Sequence, residues 1–187
     1  MKNIIVPVLG LLAFLLSACK SGSKETSEDQ NKNYTITMDG IDSLKLGMSK
    51  AELEKLLGTT LTFKHIGKDY SPDTISVKYK GMDMILYLES AYDTANVFAT
   101  LHDILTTGPS CKTEKGIGVG SDKKTVIDAY EDYTRYVAPE YEEYPVRSTT
   151  KSAIAVMDTA IGSKALLFRI IDKKVVSIEV KTYHEFY

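Results

Sequence analysis

The sequence predicts an α+β fold made of two repeats, each a short helical element followed by about three antiparallel strands. Three observations carry this. One phrase (an apolar residue, a glycine, a capping residue, then a helix-spaced apolar run) occurs twice, 73 residues apart. After each copy the periodicity changes from helical to alternating. Turn residues then punctuate the alternating stretches at hairpin spacing. The folded part is thereby divided into two segments, 34–110 and 111–187.

The first copy runs from Ile41 to Gly58. Leu46-Gly47 makes a tight bend, and Ser49 caps the helix that follows. Ser49 with Glu52 fits the capping box, in which two orphan amide donors are satisfied reciprocally. Leu53, Leu56 and Leu57 form one apolar face, and Gly58 closes the helix in the left-handed conformation that glycine permits. Ile75, Val77 and Tyr79 alternate with polar residues, Lys80-Gly81 turns the chain, and Met82–Leu88 and Val97–Thr106 read as the next strands.

The second copy runs from Gly116 to Tyr130, with Val119-Gly120 matching Leu46-Gly47, Asp122 matching Ser49, Val126 matching Leu53 and Tyr130 matching Leu57. Glu131 stands where the closing glycine would be, so the helix is expected to continue through Tyr133 and Tyr136. Ala153–Met157, Ala165–Ile171 and Val175–Tyr183 supply the strands, with Asp172-Lys173-Lys174 as the last hairpin turn.

Lys and Arg number 23 against 25 Asp and Glu, a formal charge of −2. Such a balance lacks the basic footprint of a nucleic-acid binder. The histidines, His65, His102 and His184, have no helical i, i+4 spacing and no Cys or carboxylate cluster beside them, so no metal site is expected. Gly116-x-Gly118-x-Gly120 lacks the spacing of a dinucleotide loop, and no Gly-x-Ser-x-Gly occurs. His102-Asp103 with Cys111 suggests a thiol-enzyme arrangement, but no oxyanion-hole sequence accompanies it. The expectation is a non-enzyme without cofactors.

The first eighteen residues have a short positive start, a 13-residue apolar run from Ile4 to Leu16, and small residues before Cys19. These are the parts of a secretory signal, and the run is short of the roughly 20 residues a spanning helix needs. Leu16-Ser17-Ala18-Cys19 resembles the lipobox of bacterial lipoproteins. That resemblance implies cleavage before Cys19, a lipid on its sulfur and a membrane anchor, with residues 1–18 as the signal peptide. Loss of the signal leaves a charge of −3. Residues 19–33 then form a lipidated tether, since KSGSKETSEDQNKN has no apolar residue to bury. The expected location is the cell envelope, at the outer membrane, facing the periplasm or the surface. Cys111 remains as a lone thiol, more in keeping with a buried, inert group than with a reactive one.

The two helix-entry phrases, Leu46-Gly47-Met48-Ser49 with Leu56-Leu57-Gly58 and Gly116-Ile117-Gly118-Val119-Gly120-Ser121 with Tyr130, resemble those of BamE-like (SmpA/OmlA) lipoproteins, duplicated as in the β-lactamase inhibitor protein. The resemblance implies a helix pair on a three-stranded sheet in each half, and a protein that works by binding. A non-catalytic binding or scaffolding partner of another envelope protein is therefore expected. An inhibitor of a periplasmic enzyme and a small-ligand or glycan binder are the alternatives.

Two further patterns bear on partners. Asp-Ser/Thr followed by an apolar residue or Thr resembles the O-glycosylation sequon of Bacteroides-type bacteria. It occurs at Ser43, Thr74, Thr94 and Thr159, where about one match would arise by chance. The segment from Ala129 to Pro145 carries five tyrosines among acidic residues. Tyrosine offers rigid amphipathic contact area, which makes Tyr133, Tyr136, Tyr141 and Tyr144 a candidate recognition surface. The competing reading packs some of these rings beneath a long connection.

Overall fold

The computed structural model describes residues 34–62, 73–93, 96–143, 146–158 and 164–182. The described chain is mostly β. Its elements in order are β1 (Tyr34–Thr37), β2 (Gly40–Ile41), β3 (Leu44–Lys45), α1 (Lys50–Leu57), β4 (Asp73–Tyr79), β5 (Met82–Asp93), β6 (Asn96–Thr106), β7 (Cys111–Thr113), α2 (Lys123–Ala129), β8 (Thr134–Glu143), β9 (Val146–Met157), β10 (Lys164–Ile171) and β11 (Lys174–Thr182).

This corrects the α+β expectation. The two helices have eight and seven residues and stand singly, where a helix pair in each half was expected. Three strands precede α1, and four rather than three follow α2. The second helix does not continue through Tyr133 and Tyr136: it ends at Ala129, Tyr133 lies in a turn, and Tyr136 is in the strand β8. The physical reason lies in the residues. Thr134, Tyr136, Val137 and Tyr141 favour extended backbone, and Pro139 can neither donate to nor fit inside a helix. Nor does each half own a three-stranded sheet, because the long strands form one seven-stranded antiparallel sheet, ordered β4-β5-β6-β11-β10-β9-β8.

Register assigns the faces of this sheet. Val77, Met84, Thr106, Ile178, Phe168, Ile154 and Val137 lie in one row across all seven strands, on the inner face. Ser76, Ile85, Leu105, Glu179, Leu167, Ala155 and Tyr136 form the adjacent row, on the outer face. A second, small sheet, ordered β3-β2-β1-β7, supplies Tyr34, Ile36, Ile41, Leu44 and Cys111 to the core. Leu53 of α1 and Val126 of α2 join it, both wholly buried, with Met84, Phe168, Ile154 and Ile178 from the inner face. One core thus spans residues from both sides of position 110.

The two helix starts are held alike. The amide of Gly47 donates to the Leu101 carbonyl at 2.7 Å, and the Leu101 amide donates to Met48 at 2.8 Å. The Gly120 amide donates to Val175 at 2.8 Å, and Val175 donates back to Ser121 at 2.9 Å. Both glycines have positive φ, 82° and 90°. At the centre of the sheet, Ile104 faces Val180 and Thr106 faces Ile178, so the register is symmetric about the Leu105–Glu179 pair. On this local two-fold, β6 corresponds to β11, β5 to β10 and β4 to β9. β8 has no counterpart among the described residues and forms the edge of the sheet on its side.

Candidate interaction surface

β8 and β9 are joined as an antiparallel pair, with Tyr136 opposite Ala155, Val137 opposite Ile154 and Ala138 opposite Ala153. β9 continues inward to β10, so its buried residues alternate, but among the described residues β8 has a neighbouring strand on one side only. Its side chains therefore lose cover. Among the described residues the exposed large apolar side chains are Tyr133, Tyr136, Val137, Tyr141 and Val146, all within this hairpin or just ahead of it. Tyr136 is 60% exposed on the outer face and Val137 is 47% exposed on the inner face, so the patch wraps round the edge.

The edge itself is a poor template for strand addition. Pro139 lacks an amide donor, and the register shifts between Pro139 and Tyr141 and again between Tyr141 and Glu143. Bulges and proline are the means by which edge strands avoid pairing. What this edge presents to its surroundings is side chains rather than a regular row of unpaired backbone groups.

Of the four candidate tyrosines, Tyr136 and Tyr141 stand well exposed on β8. Tyr133 lies just ahead of the strand, with its ring edge-on to buried Tyr130 at 5.4 Å, and Lys115 sits over both rings. Tyr130 packs in turn against Phe168, and burial pushes its phenol pKa up. The tyrosine run thus divides into an anchor (Tyr130) and a display (Tyr136, Tyr141). Tyr144 lies outside the described residues, as do Cys19, Thr94 and Thr159. Ser43, in the β2–β3 turn, and Thr74, on edge strand β4, are exposed, as glycan attachment would require. Sequence reasoning missed Val137 and Val146, because reading this stretch as a continued helix or a long connection assigns them no sheet register.

The Cys-His-Asp idea separates into two places. His102 Nδ1 lies 2.8 Å from the Asp103 carboxylate, at the β5–β6 register shift. Lys181 is 3.7 Å from Asp103 and 3.1 Å from Glu179. Burial alone would lower the Lys181 pKa, but the Glu179 and Asp103 carboxylates outweigh it and hold the ammonium above its ordinary value. Burial and the same two carboxylates raise the Tyr87 phenol. Cys111, wholly buried, has its sulfur 3.3 Å from Met82 Sδ and 3.7 Å from the Thr106 hydroxyl. Burial pushes its thiol above the ordinary range, which disfavours the nucleophilic thiolate.

Among the described residues no group of three or more His, Cys, Asp or Glu is placed to hold a metal ion. No described helix is long and apolar enough to cross a membrane. No protein-family model, curated protein or solved structure matches this chain.

Proposed function

We propose that this chain is a lipid-anchored protein of the cell envelope that acts without catalysis, by binding another envelope protein through the β8–β9 hairpin. The observation that carries the binding reading is the gathering of exposed Tyr136, Val137, Tyr141 and Val146 on one edge hairpin. Aromatic side chains of this kind supply most of the energy at protein interfaces, and an exposed apolar cluster on a folded chain marks a contact site. The anchor rests on Leu16-Ser17-Ala18-Cys19 and its resemblance to a lipobox.

Two measurements test the two halves of this reading. Cys19→Ser should move the chain from the membrane fraction to the soluble fraction of cells, and unchanged membrane association would refute the lipid anchor. In-cell crosslinking should capture one stoichiometric envelope protein on the wild-type chain. That product should fall about tenfold in Tyr136→Ser/Tyr141→Ser, since losing two interface tyrosines costs at least ~1.4 kcal/mol. An undiminished product from a variant that still folds would refute the hairpin as the binding surface.

A further inference from the structure

We infer that the inner-face groove between α2 and the β8–β9 hairpin receives an acidic segment of the protein partner, seated by an apolar side chain; this rests on the protein-binding reading above. The groove exists because β8 widens the sheet beyond the reach of α2. Among the described residues, no element lies over the inner face of β8, the last strand on its side of the sheet. Val137 and Pro139 point to the inner face by register, in rows that continue to buried Ile154 and Ile170. With Ile127 of α2 and Ile170 they line an open groove of about 800 Å³. That is the size of a ligand site, and it would hold a short stretch of extended chain.

The charge in this groove is one-sided. Lys123 reaches from the first turn of α2 to the Ser152 hydroxyl on β9, at 2.9 Å. Among the described residues, no carboxylate forms an ion pair with this half-buried ammonium. Lys173 also lines the groove and has no ion pair among the described residues, whereas Lys151 borders it with its side chain turned to the outer face by register. The carboxylates here already have partners, Asp122 of the groove lining included. Asp122 pairs with Lys174 at 3.0 Å, and Asp128 pairs with Lys124 at 2.7 Å. Glu140 pairs with Arg169 at 2.9 Å, and Glu142 accepts from the Ser148 hydroxyl at 2.8 Å. Two ammonium groups without a carboxylate partner among the described residues, beside an apolar floor, are complementary to a carboxylate next to an apolar residue. Val137 belongs both to this floor and to the exposed hairpin patch, so a partner bound at Tyr136 would reach the groove by passing round the strand edge.

The test places a photo-reactive p-benzoylphenylalanine at Thr149, exposed on the groove rim, and separately at Tyr136, in full-length chains expressed in cells. Peptides captured at each position are then sequenced by mass spectrometry. Expected at Thr149 is a segment in which Asp and Glu outnumber Lys and Arg beside at least one apolar residue. Its yield should fall about tenfold, ~1.4 kcal/mol, in Lys123→Gln/Lys173→Gln and recover in the corresponding Lys→Arg double variant. Unchanged thermal midpoints in both double variants would separate this from misfolding. Capture at Tyr136 with none at Thr149 would overturn the groove assignment and leave the hairpin reading standing. A basic segment or a lipid at Thr149, or indifference to the glutamines, would overturn it as well. No capture at either position would overturn both readings.

Discussion

At Gly40 the backbone runs at φ 152°, and an added Cβ would stand 1.9 Å from the Leu44 carbonyl oxygen. The β2–β3 hairpin closes too tightly there for any side chain. Gly58 also has positive φ, 66°, but nothing lies within 4 Å of its missing Cβ. The two glycines should therefore separate in mutagenesis. Gly58→Ala should cost about 1 kcal/mol, the left-handed penalty alone, whereas Gly40→Ala should cost about 3 kcal/mol or more through overpacking against backbone. Chemical denaturation of each variant measures both, and equal losses would contradict the geometry. Leu53 makes a similar argument from the core, because its side chain is wholly buried in α1. Leu53→Ala should lose about 3 kcal/mol by the same measurement. Cys111 should resist a soluble thiol reagent in the native chain and react on unfolding; fast native labelling would contradict its burial.

The helices show how far local chemistry can be read from sequence. Ser49 and Glu52 form the capping box that their spacing implies: the Ser49 amide donates to the Glu52 carboxylate at 2.8 Å, and the Glu52 amide donates to the Ser49 hydroxyl at 3.4 Å. Asp122 occupies the matching position but makes no capping hydrogen bond through its side chain, which turns to Lys174. Ser49→Ala should thus cost about 1 kcal/mol and Asp122→Ala only about 0.5 kcal/mol, the value of an exposed ion pair. The Ser49 amide and hydroxyl hold the Glu52 carboxyl below its ordinary pKa. With the folded value depressed, its contribution is present above the ordinary glutamate range and is lost as pH falls through the folded value. A Glu52→Gln chain should accordingly show a weaker acid dependence of its melting midpoint than wild type. The hairpin turns were legible for the same local reason. Lys80-Gly81 and Asp172-Lys173 both carry positive φ at two successive positions, as two-residue hairpins require. β8 was not legible in this way, because Tyr130 lacks a closing glycine after it and the helical spacing seemed able to run on. Pro139 was the available contrary signal.

For the whole molecule, alternation exposed the individual strands but not their order. Nothing in Ile104 or Val180 announces that β6 and β11 meet at the centre and join the two halves into one sheet. That pairing goes with a shared core, to which Phe168 and Ile154 belong together with Ile36 and Leu44 from the first half. A periodic pattern cannot reveal such non-local contacts, so each half was read as owning its sheet. The candidate site followed the same division. Tyr136 and Tyr141 were legible as tyrosines among acids, while Val137, Val146 and the lysine-lined groove emerge only once β8 is placed at an edge. The shared core implies that residues on both sides of position 110 unfold together. The raised Lys181 adds a pH signature. Its contribution is present below the ordinary lysine value and is lost as pH rises through its folded value. Stability should therefore fall at strongly alkaline pH, less steeply in Lys181→Met; identical alkaline limbs would contradict the role of that charge.

The most direct test of the central claim is oxidative footprinting of tyrosines on the full chain, in intact cells and after purification. If another envelope protein covers the β8–β9 hairpin, Tyr136 and Tyr141 will be protected in cells and labelled freely once purified, while half-buried Tyr87 will label alike in both settings. Equal labelling of Tyr136 and Tyr141 in cells and in isolation would contradict the claim, because the hairpin would then stand uncovered where it is supposed to act.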